Sequence, residues 1–251
     1  MPVWGKLQAL AIAHVLADTK WDTYHMKKGG AEFIQLLEED LDLHHLSQHP
    51  FYQLWNHGKL SRAALRDYAK QYYHFVAYFP RLVSQIHANT PELARRLEIL
   101  ENLSEEENKK NPHEDMWVAF AEGIGVSRQA LSRTKLLPET RKAIQTMKKF
   151  CQADFLQGAA AVLAYEAQIS DIAELKKRGL KKFYKVTKKS ALEFFEVHGQ
   201  VDIEHQKTWK RLLAKDAKTA SQQQAARRAL KQSLASLWGL LDGVYNLHYQ
   251  S

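Results

Sequence analysis

Two histidines and an aspartate in the C-terminal third of the chain have a spacing that suits metal binding. His198, Asp202 and His205 lie in the segment EVHGQVDIEHQ, at offsets of four and seven residues. On an α-helix these offsets place the three side chains within about 60° of one another. Two imidazole nitrogens and an anionic oxygen are donors that transition metals bind. The competing interpretation is a polar surface stripe with two ordinary histidines.

Glu166 is a carboxylate embedded in a segment of small and apolar residues, GAAAVLAYEAQIS. Such a composition predicts a helix that is buried on most sides. An isolated charge in a protein interior is costly, so the carboxylate must be paired, hydrogen-bonded, metal-bound or protonated. A metal ligand and a structural salt bridge to a lysine or arginine are both compatible with this pattern.

Glu106 and His113 form a third element, in the segment SEEENKKNPHEDMW. Asn111-Pro112 predicts a helix start, which puts His113 in the first turn and fixes its direction. The acidic run around Glu106 also suits a solvated helix end, so the local signal is weak. Together with Glu166 and the triplet His198, Asp202 and His205, the chain offers three carboxylates and three histidines on separate helices. That is the composition of a two-metal site inside a helical bundle.

Helices must position these residues, because no segment alternates polar and apolar residues with the period of a strand. Apolar residues recur at helical spacing, and cap residues such as Ser61 and Ser127 precede them. Thr90-Pro91 predicts the start of one helix, and a break near Asp154 interrupts another. We therefore predict an all-α, single-domain bundle of about seven to eight helices with short links.

The chain of 251 residues has the composition of an ordinary globular domain, with 45% hydrophobic and 25% charged residues. We assign residues 31–251 to the helical domain. Residues 1–30, which end in Gly29-Gly30, form an N-terminal appendage of unknown role. The apolar segment from Leu7 to Leu16 is short and lacks a small-residue cleavage site. We therefore interpret it as a helix and not as a signal peptide.

Charge and cysteine content restrict the partners and the location. No stretch approaches 18 consecutive apolar residues, so we expect no membrane-spanning helix. A single cysteine, Cys151, excludes an intrachain disulfide and suits a reducing cytoplasm, which is the predicted location. The net charge of +8 comes from lysine and arginine clusters that are scattered among acidic residues. We interpret these clusters as solvated helix faces and expect no nucleic-acid partner.

Several motifs, taken in order, resemble those of a known family. The motifs are HPFYQLWNHGKL, NLSEEENKKNPHEDMW, YEAQISDIAELKKRGL and EFFEVHGQVDIEH. They are similar to the heme-oxygenase-like dimetal oxidases, and among these to the para-aminobenzoate synthases related to the chlamydial death-domain-associating protein. The resemblance runs from about Ala31 to Tyr245 and implies a heme-oxygenase-like helical bundle. It implies six ligands for two metal ions: Glu106, His113, Glu166, His198, Asp202 and His205. By the same resemblance the two ions are both iron, or one manganese and one iron. It also implies dioxygen and an external reductant as small-molecule partners, and a homodimeric protein.

In that subfamily the protein consumes its own side chains. A tyrosine becomes the ring of para-aminobenzoate, and a lysine supplies the nitrogen. By resemblance the sacrificed tyrosine is Tyr52, the second implicated tyrosine is Tyr68 and the amino donor is Lys176. From the residues alone, the tyrosines suit core packing and the lysine suits a basic helix end. The resemblance predicts an oxygen-dependent dimetal oxidase that makes para-aminobenzoate for folate biosynthesis.

Other functions remain open from the sequence. A dimetal oxidase on this scaffold can act on a small external substrate, and pyrroloquinoline-quinone biosynthesis protein C shares the scaffold but works without metal. Thiaminase II also shares it, although its nucleophilic cysteine lies nearer the acidic helix residue than Cys151 lies to Glu166. An interaction protein that uses its basic helices is the non-enzymatic alternative.

Overall fold

The computed structural model describes residues 27–249, and this range is almost entirely helical. The helices are α1 (Gly30–Leu43), α2 (Pro50–Asn56), α3 (Arg62–Ala88), α4 (Leu93–Glu106), α5 (His113–Gly123), α6 (Arg128–Arg133), α7 (Pro138–Ala153), α8 (Phe155–Tyr184), α9 (Lys189–Asp216) and α10 (Ala220–Tyr249). A 3-10 turn at Leu46–Gln48 leads into α2. No strand occurs among the described residues, so the prediction of an all-α fold is confirmed.

The described part of the chain contains ten α-helices, more than the about seven to eight predicted. Asp154 shows why the count is higher. Its backbone is extended, and its carboxylate accepts a hydrogen bond from the Gln157 N–H at 2.9 Å. These features end α7 and cap α8, because an aspartate oxygen satisfies a free N–H in the first helical turn. The break predicted near Asp154 is thus a full boundary between two helices.

The predicted caps at Ser61 and Ser127 are confirmed. The Ser61 hydroxyl oxygen accepts a hydrogen bond from the Ala64 N–H at 3.0 Å. The Ser127 oxygen accepts one from the Ala130 N–H at 3.2 Å. Each bond satisfies one of the N–H groups that a helix start leaves without a partner in the helix. These serines therefore define the starts of α3 and α6.

The predicted helix start at Thr90-Pro91 is wrong. The Thr90 hydroxyl donates to the Ile86 carbonyl oxygen at 2.7 Å, and α4 begins only at Leu93. A threonine hydroxyl can bond the carbonyl four residues earlier instead of capping the helix that follows. Thr90 therefore lies just after the end of α3 and bonds back to it, and it does not cap α4.

Helix α8 lies at the centre of the bundle and packs against α7, α9 and α10. Every residue from Ala159 to Ala164 is fully buried. The small side chains in this segment let neighbouring helices approach on several sides, as the sequence predicted. A polar side chain on α8 must consequently find its partners inside the protein.

The predicted boundary near residue 30 lies at the edge of the described range. Helix α1 begins at Gly30, and the Lys28 backbone N–H donates to the Gln223 side-chain oxygen at 3.0 Å. Residues 1–26, which include the segment Leu7–Leu16, lie outside the described residues. The division into an appendage at 1–30 and a domain at 31–251 therefore stays a prediction. Among the described helices, none has the length and apolar character that crossing a lipid bilayer requires.

The substitution Gly179→Ala tests the packing of α2 on α8. A Cβ atom at Gly179 would lie 2.5 Å from the indole ring of Trp55, which is fully buried. That indole is also held by a hydrogen bond to the Lys176 carbonyl oxygen at 3.2 Å. Because the ring has little room to shift, we expect Gly179→Ala to lower the free energy of unfolding by about 1–3 kcal/mol in urea denaturation.

The matched control is Gly239→Ala in α10, where an added Cβ meets no atom within 4 Å. This change should raise the free energy of unfolding by about 0.5–1 kcal/mol, because alanine loses less backbone entropy in a helix than glycine does. Equal effects of the two substitutions would contradict the close packing of Gly179 against Trp55.

Candidate metal centre

Four helices bring the six predicted ligand residues into the bundle interior. Glu106 ends α4, His113 begins α5, Glu166 lies in α8, and His198, Asp202 and His205 lie in α9. None of the six is more than 8% exposed. The surface-stripe interpretation of the α9 triplet is therefore excluded.

The six side chains form two adjoining groups of three. Glu106, His113 and His198 make up the first group, and Glu166, Asp202 and His205 make up the second. Within each group, every residue offers a ligand atom that lies within 4.8 Å of the others. The groups adjoin, since the carboxylates of Glu106 and Asp202, one from each group, repel each other. The structure thus brings all six residues together at one place.

One histidine of the first group, His198, has a free lone pair. Its Nδ1 donates to the Phe194 carbonyl oxygen at 2.7 Å, which leaves Nε2 as the lone pair of a neutral ring. Burial, with the nearby His113, lowers the pKa of His198 well below its usual value, so this ring is neutral at pH 7. His113 Nδ1 lies 3.0 Å from Glu106 Oε2 without the geometry of a hydrogen bond. Burial by itself lowers the pKa of His113, but the Glu106 carboxylate raises it. A ring nitrogen and a carboxylate oxygen this close together can bind the same cation.

Glu166 is the carboxylate at the centre of the second group, and it is fully buried. Asn102 Nδ2 donates to its Oε1 at 2.8 Å, and Trp209 Nε1 donates to its Oε2 at 2.6 Å. Both donors are neutral, and burial raises the pKa of Glu166 to about 8. Among the described residues no lysine or arginine forms an ion pair with Glu166. The structural salt bridge that the sequence left open is therefore absent from this part of the chain.

His205 connects the second group to an exposed carboxylate. Its Nε2 lies 2.8 Å from Glu105 Oε2, and its Nδ1 lies 3.6 Å from Asp202 Oδ1. Burial by itself lowers the pKa of His205, but the adjacent Asp202 carboxylate and the other carboxylates around it together raise it to about 9. Burial raises the pKa of Asp202 to about 6. The second group consequently holds protons at neutral pH that a bound cation would displace.

Three polar atoms of the site are buried without a hydrogen-bond partner: His113 Nδ1, Asp202 Oδ2 and His205 Nδ1. Such atoms are rare in folded proteins, because each loses its bonds to water without compensation. Imidazole nitrogens and carboxylate oxygens together suit iron, manganese and similar ions. The donor set and its unsatisfied atoms therefore fit two transition-metal ions, one in each group.

Tyr52, Tyr68 and Lys176 also lie together in the interior. The Tyr52 and Tyr68 hydroxyl oxygens are 3.1 Å apart, and Lys176 Nζ lies 5.1 Å and 5.3 Å from the centroids of their rings. Burial raises the pKa of both phenols well above their usual value. Burial also lowers the pKa of the Lys176 amine well below its usual value. The surface location that the local sequence favoured for Lys176 is wrong, since this residue is only 2% exposed.

The sequence analysis missed Tyr72, whose ring centroid lies 4.8 Å from Lys176 Nζ, nearer than either predicted tyrosine. Tyr72 follows Tyr68 by four residues, so both project from one face of α3. Its ring centroid lies 6.5 Å from that of Tyr165, the residue before Glu166. The spacing of the two tyrosines on α3 was the signal that could have identified it.

The analysis also missed the two donors to Glu166. Asn102 precedes Glu106 by four residues, and Trp209 follows His205 by four. Both intervals put a residue on the same helix face as a predicted ligand. A search for polar or indole donors at these intervals would have found them, although their common partner on α8 is visible only in the fold.

Two features near the candidate residues do not join the site. Cys151 is fully buried, and burial raises the pKa of its thiol to about 12, so the reactive thiolate does not form at neutral pH. This argues against the nucleophilic cysteine of a thiaminase. Lys109 and Lys110, which lie between two candidate ligands in sequence, are exposed and point away from the interior.

Comparison with known proteins gives the family. Residues 66–238 match the family of iron-containing redox enzymes. The chain belongs to this heme-oxygenase-like family. The 4-aminobenzoate synthase of Nitrosomonas europaea is 36% identical to it over 223 residues, covering 85% of this chain and 91% of that protein. The family resemblance predicted from the motifs is therefore confirmed.

More distant proteins match the chain over most of its length. The pyrroloquinoline-quinone synthase of Granulibacter bethesdensis is 26% identical over 203 residues, covering 78% of each chain. A crystal structure of a TenA homologue from Pseudomonas syringae superposes with a TM-score of 0.76 at 18% identity, over 85% of this chain and 93% of the homologue. This structural likeness confirms the heme-oxygenase-like fold.

We expect the affinity of the metal-free chain for Mn²⁺ to increase with pH. Cations bind neutral imidazoles and ionised carboxylates, whereas the pKa values of about 9 for His205 and about 8 for Glu166 leave both groups protonated at pH 7. Below these values, each proton that Mn²⁺ displaces should weaken binding by about tenfold per pH unit. Competition with a chromophoric chelator across this range measures the slope, and an affinity that does not change with pH would refute the assignment of these groups as ligands.

Proposed function

We propose that this chain is an oxygen-dependent dimetal oxidase that forms 4-aminobenzoate, with Tyr52 as the source of the ring and Lys176 as the amino donor. The observation that carries the proposal is a buried amine beside a buried phenol, next to two groups of buried metal-ligating side chains. The 36% identity to a 4-aminobenzoate synthase supports the product.

Under this proposal each group of three side chains holds one ion, either iron in both or manganese in one. Two reduced ions held there would supply the electrons needed to activate dioxygen. The protein holds the imidazole rings in one tautomer through the bonds from His198 to the Phe194 carbonyl and from His205 to Glu105. An external reductant is needed, because Cys151 is the only cysteine in the sequence and provides no dithiol pair.

The proposed roles of Tyr52 and Lys176 follow from their surroundings. A lysine whose pKa is lowered by burial is a neutral amine with a free electron pair, which makes it a nucleophile. Its Nζ is held 5.1 Å from the centroid of the Tyr52 ring, so the reacting groups have a high effective concentration. The Tyr68 hydroxyl, 3.1 Å from that of Tyr52, is placed to exchange a proton with it.

Tyr72 and Tyr165 extend this network of hydroxyls toward the candidate ligands. The Tyr72 ring lies 5.1 Å from that of Tyr68 and 6.5 Å from that of Tyr165, centroid to centroid, and the Asp202 carboxylate lies close enough to both Tyr72 and Tyr165 to disfavour their ionised forms. A series of neighbouring phenols therefore leads from the Tyr52–Tyr68 pair toward the second group of ligands. We assign these two residues the role of holding and moving protons between the proposed substrate and the metal site.

The packing around Lys176 supports an internal substrate over an external one. Five aromatic rings have centroids within 6.0 Å of its Nζ: Tyr52, Tyr68, Tyr72, Trp117 and Phe195. An external substrate would have to displace one of these buried rings to reach the amine. A metal-free oxidase, in turn, would leave the unsatisfied buried atoms of both ligand groups without a role.

Replacement of the proposed substrate residue tests the reaction directly. Metal-loaded protein given oxygen and reductant should release 4-aminobenzoate, and Tyr52→Phe should release none that mass spectrometry detects. The matched control is Tyr78→Phe, a half-buried tyrosine on α3 that contacts Arg81, and it should keep the wild-type yield. Undiminished product from Tyr52→Phe would remove Tyr52 from the mechanism. Protein built with ring-labelled tyrosine should transfer the label, and unlabelled product would indicate an external substrate.

Replacement of the proposed amino donor should separate activity from stability. Lys176→Met removes a buried amine and keeps an unbranched apolar side chain, so the free energy of unfolding should stay equal or rise. Product should nevertheless be lost, and wild-type protein grown with ¹⁵N-lysine should yield ¹⁵N-labelled 4-aminobenzoate. Unlabelled nitrogen in the product, or normal yield from the variant, would assign the amino group to another source.

A further inference from the structure

A cleft of about 280 Å³ lies between α4 and α9, beside the second ligand group. Its lining consists of Glu98, Glu101, Asn102 and Glu105 from α4 and Glu204, His205, Thr208 and Trp209 from α9. Four of these residues are glutamates, and none is a lysine or arginine. This concentration of carboxylates is notable in a chain with a net charge of +8.

Basic side chains neutralise only part of the negative charge of the glutamates at the mouth of the cleft. Glu98 pairs with Arg211, and Glu204 pairs with Lys207 at 2.7 Å on the exposed surface. Glu101 is exposed and forms no ion pair within the described part of the chain. Exposed ion pairs are weak and are screened by solvent, so the mouth keeps a negative potential.

The floor of the cleft reaches the candidate metal ligands. His205, itself in the second group, lines it, and so do Asn102 and Trp209, which both donate hydrogen bonds to Glu166. Asn102 is only 4% exposed, and its Oδ1 has no hydrogen-bond partner. A buried amide oxygen without a donor is a ligand atom available to a cation, and this observation is independent of the acidic mouth.

We propose that this acidic cleft is the entrance through which divalent cations reach the metal site. The exposed carboxylates concentrate hydrated cations, and the Asn102 amide oxygen and the Glu105 carboxylate offer oxygen ligands on the way to His205. Clefts lined by one sign of charge raise the association rate of oppositely charged ligands by about 10- to 1000-fold. The inference rests on the proposed metal binding, but not on the identity of the substrate.

Stopped-flow mixing of the metal-free full-length chain with Mn²⁺ tests this entrance. Tryptophan fluorescence is a suitable readout, because Trp209 lines the cleft and contacts Glu166. The double variant Glu101→Gln/Glu204→Gln should bind Mn²⁺ about tenfold more slowly than wild type at low ionic strength. The difference should shrink at high salt, which screens the carboxylates. Metal analysis should still find two ions per chain, because neither glutamate belongs to a ligand group.

The matched control is Glu39→Gln/Glu122→Gln, which removes the same charge from exposed positions on α1 and α5 outside the cleft. It should load at the wild-type rate. The proposed entrance would be wrong if the cleft variant bound Mn²⁺ at the wild-type rate. It would also be wrong if the control variant bound Mn²⁺ as slowly as the cleft variant. A wild-type chain that binds no metal ion would overturn both the entrance and the proposed oxidase. A chain that loads as expected but forms no 4-aminobenzoate would contradict only the reaction.

Discussion

The burial of ionisable groups is the constraint on which the centre of this protein depends. Three carboxylates, three imidazoles and one amine lie in an interior where none is more than 8% exposed and an unpaired charge is costly. The metal-ligating side chains and the Lys176 amine differ in how this cost is reduced. The carboxylates and imidazoles gather into two groups whose unsatisfied atoms suit a cation, whereas Lys176 lies among aromatic rings, where its neutral form is favoured. Helix α8 carries a member of each set, Glu166 and Lys176, ten residues apart.

The ligand residues hold defined positions on their helices. Glu106 is the last residue of α4 and His113 is the first of α5, so a short link holds the pair. Three further ligands project from one face of α9, and the small residues of α8 allow Glu166 to approach them closely. Neutral donors from Asn102 and Trp209 then hold the Glu166 carboxylate without compensating its charge. This arrangement costs stability, which the large aromatic and aliphatic core of the bundle offsets.

The distribution of charge separates the site from the rest of the surface. The chain is basic overall, whereas the cleft between α4 and α9 is lined by four glutamates and by no lysine or arginine. A positive surface repels cations at long range, so a local negative cleft matters more here than in an acidic protein. The aromatic rings around Lys176 carry no such negative charge. The site therefore has a polar side that suits ions and an apolar side that suits the phenol and the amine.

The sequence by itself determined the all-helical class, the caps at Ser61 and Ser127 and the identity of the candidate residues. Helical spacing is a local property, and the order of several motifs is specific to one family, so neither needs contacts between distant segments. Predictions from local patterns were wrong at two residues. The Thr90 hydroxyl could cap the following helix or bond to the preceding one, and it does the latter. The charged neighbours of Lys176 suggested a surface location, whereas the residue is buried. Tertiary structure alone decided how the six candidate residues divide into two groups, which nitrogen of His198 is free, and how Tyr72, Asn102 and Trp209 enter the site. These features depend on distances between helices that are far apart in the chain, and only the packing of α8 against its neighbours sets those distances.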